Sequence, residues 1–276
     1  MHITNNQKLP KCLVDLVKAD QKPPVENRYS VTQVIGNVRE LLLTRRHFDA
    51  IDLDVSACAN TIFGTAVHNL IEKFDHTGMA EMPLEVQIGQ FTLAGRIDLY
   101  DKATHTLIDW KTASSWKVAH GDFEDYRRQG LVYAWMMLLK GYVVEKLQFN
   151  MFIKDWSSRC EFPQIYTWEY KVTTADLLFI QEFIYKRFEQ IEYYEEHLNE
   201  LPDCEDTWFT GDKYAVYTNK SKADRVCDSE QEAHDYITNR CGGVGRIEVR
   251  HGQHKKCQDY CLCRSFCKFW KEREVE

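Results

Sequence analysis

The run GRIDLYDKATHTLIDWKT at residues 95–112 narrows the choice of fold more than any other stretch, because it reads as a β-hairpin with acidic and basic side chains on one surface. Side chains alternate between the two faces of a strand, so Asp109 and Lys111 share one face while Ile108 and Trp110 share the other. The preceding run FTLAGRIDLY is also a strand pattern, and a turn centred on residues 102–104 sets Asp98 opposite Ile108 and hence beside Asp109. Cross-strand neighbours lie roughly 5 Å apart, close enough to share one divalent ion. A lysine two residues past a metal-binding aspartate can orient or deprotonate the water that such an ion activates. That is the chemistry of phosphodiester hydrolysis. The competing reading is a surface hairpin of solvated charges, and the flanking sequence has to decide between them.

Upstream, SVTQVIGNVRELLLTRRHFD spaces Val31, Val34, Ile35, Val38, Leu41 and Leu42 as a helix with Ser30 at its N-cap. Arg39, Arg45 and Arg46 fall off that stripe, as a solvated face or a phosphate-facing patch. The segment NTIFGTAVHNLIEKF predicts a second helix whose apolar stripe runs through Ile62, Phe63, Ala66, Val67, Leu70, Ile71 and Phe74, with His68 projecting from the opposite side. In PLEVQIG, Leu84, Val86 and Ile88 alternate with Glu85 and Gln87, so Glu85 belongs to the polar face of a strand, either supporting a site or simply solvated. Downstream, DFEDYRRQGLVYAWMMLLKG predicts an amphipathic helix closed by Gly141. Gln129 and Tyr133, four apart, share a face that could hold a phosphate or a base edge.

A chain of 276 residues, 44% of them hydrophobic, can bury one sizeable core and carry a smaller appended unit. No apolar run reaches the roughly 18 residues of a membrane span, and the N-terminus lacks a signal-peptide pattern, so a soluble, cytoplasmic protein without membrane partners is expected. In that compartment its ten cysteines are thiols or metal ligands rather than disulfides. A net charge of −7 speaks against a protein that coats nucleic acid, yet an enzyme can concentrate carboxylates at a metal site and keep basic residues local to its substrate.

Taken in order, Gly64-x-x-x-His68, Glu85, Gly95-x-x-Asp98, Asp109-x-Lys111 and Gln129-x-x-x-Tyr133 resemble the RecB-type branch of the PD-(D/E)XK nuclease superfamily, its phage-borne exonuclease members in particular. The resemblance covers roughly residues 30–155. It implies that His68, Asp98 and Asp109 bind Mg²⁺ or Mn²⁺ and that Lys111 assists the attacking water. Glu85 then joins the catalytic carboxylates, and Gln129 and Tyr133 bind substrate. One departure is Trp110, which fills the variable position before Lys111-Thr112. The implied fold is α/β, a central mixed sheet flanked by helices. The implied function is a metal-dependent DNA exonuclease of phage or prophage recombination or DNA end processing, working with a recombination annealing protein or a helicase. The alternative is a protein of the same fold that binds or recruits nucleic acid without turnover; the intact Asp98, Asp109 and Lys111 set argues against it.

Residues 1–29, polar and marked by Pro23 and Pro24, read as a poorly ordered or docking arm, and residues 30–201 as the nuclease core. The core closes with strands in KLQFNMFIKD and IYTWEYKV and a long helix beginning at a hydroxyl cap in TTADLL. Residues 202–276 form a small α+β subdomain: a hairpin turning at residues 219–221, a short helix capped by Asp228 or Ser229, a strand GRIEVR, and the segment CQDYCLCRSFC. A structural zinc ribbon would show Cys-x-x-Cys knuckles, which this segment lacks; clustered thiolates can instead hold iron and sulfur. Some RecB-like nucleases carry a four-cysteine iron–sulfur staple, and by resemblance Cys257, Cys261 and Cys267 would supply three ligands. Cys204 is the preferred distant fourth, with Cys58 or Cys263 as substitutes. The expected centre is a 4Fe–4S cluster or zinc, and unliganded thiols are the remaining reading.

Overall fold

A computed structural model describes residues 1–74 and 79–274, which divide into two units, Met1–Pro202 and Asp203–Glu276. The N-terminal residues are ordered, contrary to the arm expected from their composition. Strand β1 (His2–Thr4) and helix α1 (Lys11–Asp20) open the chain, and β2 (Arg28–Ser30) leads through a Ser30–Gln33 capping box into α2 (Val31–Ile35). Helix α3 (Val38–Arg46) follows, then β3 (Asp52–Asp54), which pairs in parallel with β1. The polar 1–29 stretch folds because the partners of its backbone lie elsewhere: β2 adds in parallel to a later strand, and Val17 is buried against Leu53, Val55 and Cys58.

Helix α4 (Ala59–Glu72) precedes β4 (Met79–Ala80), β5 (Pro83–Ile88), β6 (Phe91–Arg96), β7 (Leu99–Asp101) and β8 (Thr106–Ala113). Helices α5 (Ser115–His120) and α6 (Glu124–Leu139), strands β9 (Lys146–Ile153) and β10 (Ile165–Lys171), and helix α7 (Thr174–Glu196) complete the first unit. The result is a mixed α/β architecture. A five-stranded sheet has the order β10-β9-β8-β7-β4, and a three-stranded sheet the order β2-β6-β5. Only the β8–β9 pair of the larger sheet is parallel. A parallel pair needs a long crossover, and α6 supplies it. Residues 130–137 of α6 are buried all round, because one side lies on Leu147 and Phe149 of β9 while α7 covers another. Gly130 permits this approach: a Cβ there would lie 2.7 Å from Leu147 Cδ1. Tyr29, Phe91 and Phe188 tie β2, β6 and α7 together, with ring centroids 5.4 to 5.8 Å apart.

Two sequence expectations shift in detail. The run 91–101 is broken at Ile97–Asp98, so β6 belongs to the smaller sheet and β7 to the larger. The β7–β8 register pairs Leu99 with Ile108; Asp98 therefore continues that register toward Asp109 rather than Ile108. Helix α4 also turns differently from its hydrophobic pattern. Gly64, Val67, His68 and Ile71 are its half-buried face, while Phe63 and Leu70 are 47% and 60% exposed. Gly64 faces Thr112 of β8, where a Cβ would lie 3.7 Å from Thr112 Oγ1 in ordinary contact.

The second unit holds β11 (Lys213–Tyr217), β12 (Arg225–Cys227), α8 (Glu230–Arg240), β13 (Arg246–Arg250), α9 (Lys255–Asp259) and α10 (Lys268–Glu274). Its antiparallel sheet has the order β12-β11-β13. Ser229 caps α8 by accepting from Glu232 N. Val216, Cys227, Ala233 and Ile237 are its buried cluster.

Candidate active site

The break between β6 and β7 presents Asp98 at the edge of β8. Asp98 Oδ2 accepts a hydrogen bond from Trp110 N at 2.8 Å, which fixes the carboxylate across the strand from Asp109. His68, carried on the strand-facing side of α4, places Nδ1 3.3 Å from the same oxygen. Asp109 is 8% exposed. Lys111 Nζ lies 2.8 Å from Asp109 Oδ2 and donates to Gln129 Oε1 at 2.8 Å. Gln129 stands on the face of α6 turned to β8, and Tyr133, one turn on, is buried against Gly95, where a Cβ would lie 2.5 Å from Tyr133 Cε1. The structure thus gathers His68, Asp98, Asp109, Lys111, Gln129 and Tyr133 from α4, β8, α6 and the loop before β7.

The electrostatics of the group are those of a buried acid surrounded by charge. Burial pushes the Asp109 carboxyl above the usual range, Lys111 opposes that shift, and the nearby Asp98 adds to it. The hydrogen bond to Asp98 raises the His68 imidazole, against the effect of burial. Burial, with help from Asp109, pushes Tyr133 up to about 12, so its hydroxyl stays protonated and can donate. Although Lys111 is within ion-pair distance of Asp109 Oδ2, that buried oxygen accepts no aligned hydrogen bond. The Lys111 ammonium at 2.8 Å is the charge that meets this buried carboxylate oxygen.

Glu85 is a correction. The sequence placed it with the catalytic carboxylates, but it is an exposed residue of β5 that accepts from Arg28 Nη2 at 2.6 Å, and Arg28 holds its carboxyl below the usual range. Its charged neighbours are Arg28 and Lys140, not the two aspartates. A different carboxylate approaches instead. Glu81, in the left-handed backbone region at φ 50°, donates its backbone N–H to Asp98 O at 2.9 Å. It lines a narrow cleft with His68, Asp98 and Trp110, and its side chain pairs with Arg96 at 3.2 Å. Sequence reasoning missed Glu81 because nothing local marks it; only the pairing of the two-residue β4 with β7 brings it there.

Of the cysteine set, Cys204, Cys257, Cys261 and Cys267 all belong to the second unit, and Cys257, Cys263 and Cys267 are buried. Cys261 Sγ and Cys263 Sγ are 3.5 Å apart. Among the described residues, no three His, Cys, Asp or Glu side chains are grouped as a metal site. No described helix is long and apolar enough to cross a membrane.

No protein-family profile matches the chain, and no curated protein does. Solved structures do. SSO0001 is 17% identical with a TM-score of 0.51, over 72% of this chain and 89% of that one. An alkaline exonuclease, LHK-Exo, from Laribacter hongkongensis is 14% identical with a TM-score of 0.42, over 63% of this chain and 92% of that one. A phage-related exonuclease from Haemophilus somnus 129PT is 12% identical with a TM-score of 0.31, over 60% of this chain and 75% of that one. The likeness to SSO0001 is one of fold, the mixed α/β architecture described above.

Proposed function

We propose that this protein is a divalent-metal-dependent deoxyribonuclease of the PD-(D/E)XK superfamily, acting as an exonuclease in phage or prophage recombination or DNA end processing. The observation that carries the reading is the line Asp98–Asp109–Lys111–Gln129, in which two carboxylates face each other and the lysine is held against one of them by an amide from α6. The carboxylate and imidazole donors of Asp98, Asp109 and His68 are of the type that a hard divalent cation such as Mg²⁺ or Mn²⁺ takes, and the reading rests on that chemistry, since among the described residues no three such side chains are grouped as a metal site. When bound, that ion supplies charge stabilisation at the phosphate and a water of lowered pKa. The chain's own residues do the rest. Gln129 fixes the Lys111 ammonium, which orients the attacking water and faces the charge that develops as the new P–O bond forms and the ester P–O bond breaks. Tyr133, protonated, can donate to a phosphate oxygen.

Purified protein should degrade linear DNA with Mg²⁺ or Mn²⁺ and not with EDTA. Asp109→Asn and Lys111→Ala should each lower the rate by at least roughly 10²- to 10³-fold, the scale seen when one electrostatic stabiliser is lost. Both variants should keep the circular-dichroism spectrum of the parent. Protein that binds DNA and never cuts it in either metal would instead be a non-hydrolytic nucleic-acid-binding or recruitment protein. We further assign Cys204, Cys257, Cys261 and Cys267 to a 4Fe–4S cluster or zinc with a structural role. An annealing protein or a helicase is the proposed protein partner.

A further inference from the structure

Trp116 stands on α5, the short helix that leaves β8 directly after the Asp109–Lys111 segment, and it is 65% exposed. A single exposed aromatic is ordinary by itself; this one is marked by its stacking partner and its place in the chain. Its own ring is not loose. His120, one turn on, stacks on one face with centroids 4.0 Å apart and planes 26° apart, and its Nδ1–H donates to Trp116 O at 2.8 Å. The helix under the ring is pinned as well: Ser115 N and Oγ donate to the two Asp155 oxygens at 2.6 and 2.8 Å, Ser114 accepts from Lys117 N, and Val118 is buried. One face of a rigidly held indole is therefore covered by an imidazole and the other is open.

The platform is close to the proposed chemistry. The Tyr126 ring has Lys111 Nζ 5.5 Å from its centroid and Lys117 Nζ at 4.5 Å. The Tyr126 ring thus ties the lysine of the site to α5 through Lys117, which also pairs with Asp125 at 3.0 Å, and Trp116 follows Lys111 by five residues along the chain. The surroundings on α5 select the occupant. Ser115, Lys117 and His120 flank the indole, so it is a lone aromatic in a polar setting rather than part of an apolar patch that a protein partner would cover. An isolated aromatic whose exposed ring stands in a polar setting matches a nucleobase, which brings a π-face of its own.

We propose that Trp116, backed by His120, is a stacking platform for one unpaired base of the substrate strand next to the Asp109–Lys111 site, an assignment that rests on the nuclease reading for the chemistry of its neighbour. The test measures binding apart from cutting. A fluorescent oligo-dT strand is titrated with the full-length chain in EDTA, for the parent, Trp116→Phe and Trp116→Ala. Stacking on an aromatic is worth roughly 1–3 kcal/mol per base, so Trp116→Ala should bind about tenfold more weakly while Trp116→Phe stays near the parent. No charge is lost, so the slope of log affinity against log salt should not change. Strands with a single abasic site walked along their length should show one position where the parent loses that factor and Trp116→Ala loses none. Equal affinities of parent and Trp116→Ala for every strand, or no binding of any strand by the parent, overturn the platform. Cutting is then scored in Mg²⁺: Trp116-dependent binding without cutting overturns the nuclease reading and leaves the platform standing, whereas cutting with Trp116-independent binding does the reverse.

Discussion

At Asp109 and His68 the proton balance of the site becomes measurable. Asp109 holds its proton more tightly in the folded chain than in the unfolded one, so its contribution to stability falls as pH rises above the ordinary carboxylate value. His68 has a raised imidazole, so the stability from its pairing with Asp98 is complete below about 6.5 and is lost as pH rises through the folded value. Carboxyls held low by hydrogen bonds, such as Asp155 and Asp176, act in the opposite sense, but their window lies below the ordinary carboxylate range. In EDTA the melting temperature should therefore fall by a few degrees between about pH 5 and pH 8. His68→Gln should flatten the upper part of that slope and leave the lower part. A parent and a His68→Gln variant with identical slopes would remove the imidazole–Asp98 pair from the balance. Cutting should show the complementary trend, rising with pH, because a metal ion competes for the same deprotonated groups. Most of this group was legible in the sequence, since alternation along one strand and four-residue spacing along one helix are local rules that bring Asp109, Lys111, Gln129 and Tyr133 to common faces. Glu85 and Glu81 were not, because an alternation pattern gives a side of a strand and no information about which sheet the strand joins.

Between elements, glycines set how closely the helices meet the strands. Gly95 of β6 lies under the Tyr133 ring of α6, and a methyl group there would also come within 2.9 Å of Val31 Cγ2. Gly95→Ala should cost roughly 1–3 kcal/mol, the range for overpacking a filled site, seen as a melting temperature lowered by several degrees. Because the displaced ring belongs to the helix proposed to bind substrate, that proposal expects affinity for DNA to fall with it. Unchanged melting would mean that Tyr133 has room to move and is not fixed by β6. The same contact logic explains where the sequence reading of α4 went astray. Counting apolar residues gave the helix a stripe through Phe63 and Leu70, whereas the side that approaches β8 is the one where Gly64 removes the Cβ. That choice turns His68 toward Asp98. The one-residue difference in hairpin register has a similar origin, since the chain changes sheets at Ile97–Asp98 and a continuous-strand pattern hides the change.

On the scale of the whole chain, the composition changes at Pro202, where the two units divide, and the second unit is the smaller. Its hydrophobic cluster is Val216, Cys227, Ala233 and Ile237, with Tyr214, Tyr236 and Ile247 partly buried around it. Ala215, Tyr217, Cys257, Cys263, Cys267 and Phe269 are buried as well, and units below roughly 70–80 residues often add disulfides or metals to such a core as staples. The thiols of Cys204, Cys257, Cys261, Cys263 and Cys267 are all in this unit, and crowded thiolates repel one another unless a cation neutralises them. A metal held among these sulfurs would be a partner in folding this unit, because its binding free energy adds to that of the folded state. Protein prepared without oxygen should be brown, with broad absorption near about 400 nm, if the centre is iron–sulfur, and colourless with stoichiometric zinc if it is not. Cys257→Ala and Cys267→Ala should lower melting temperature and solubility, by about 2 kcal/mol or more where a structural metal is lost, while the Mg²⁺ dependence of cutting stays that of the parent. Elemental analysis that finds neither iron nor zinc, with both variants as stable as the parent, would leave these cysteines as ordinary buried thiols and the small core as sufficient by itself.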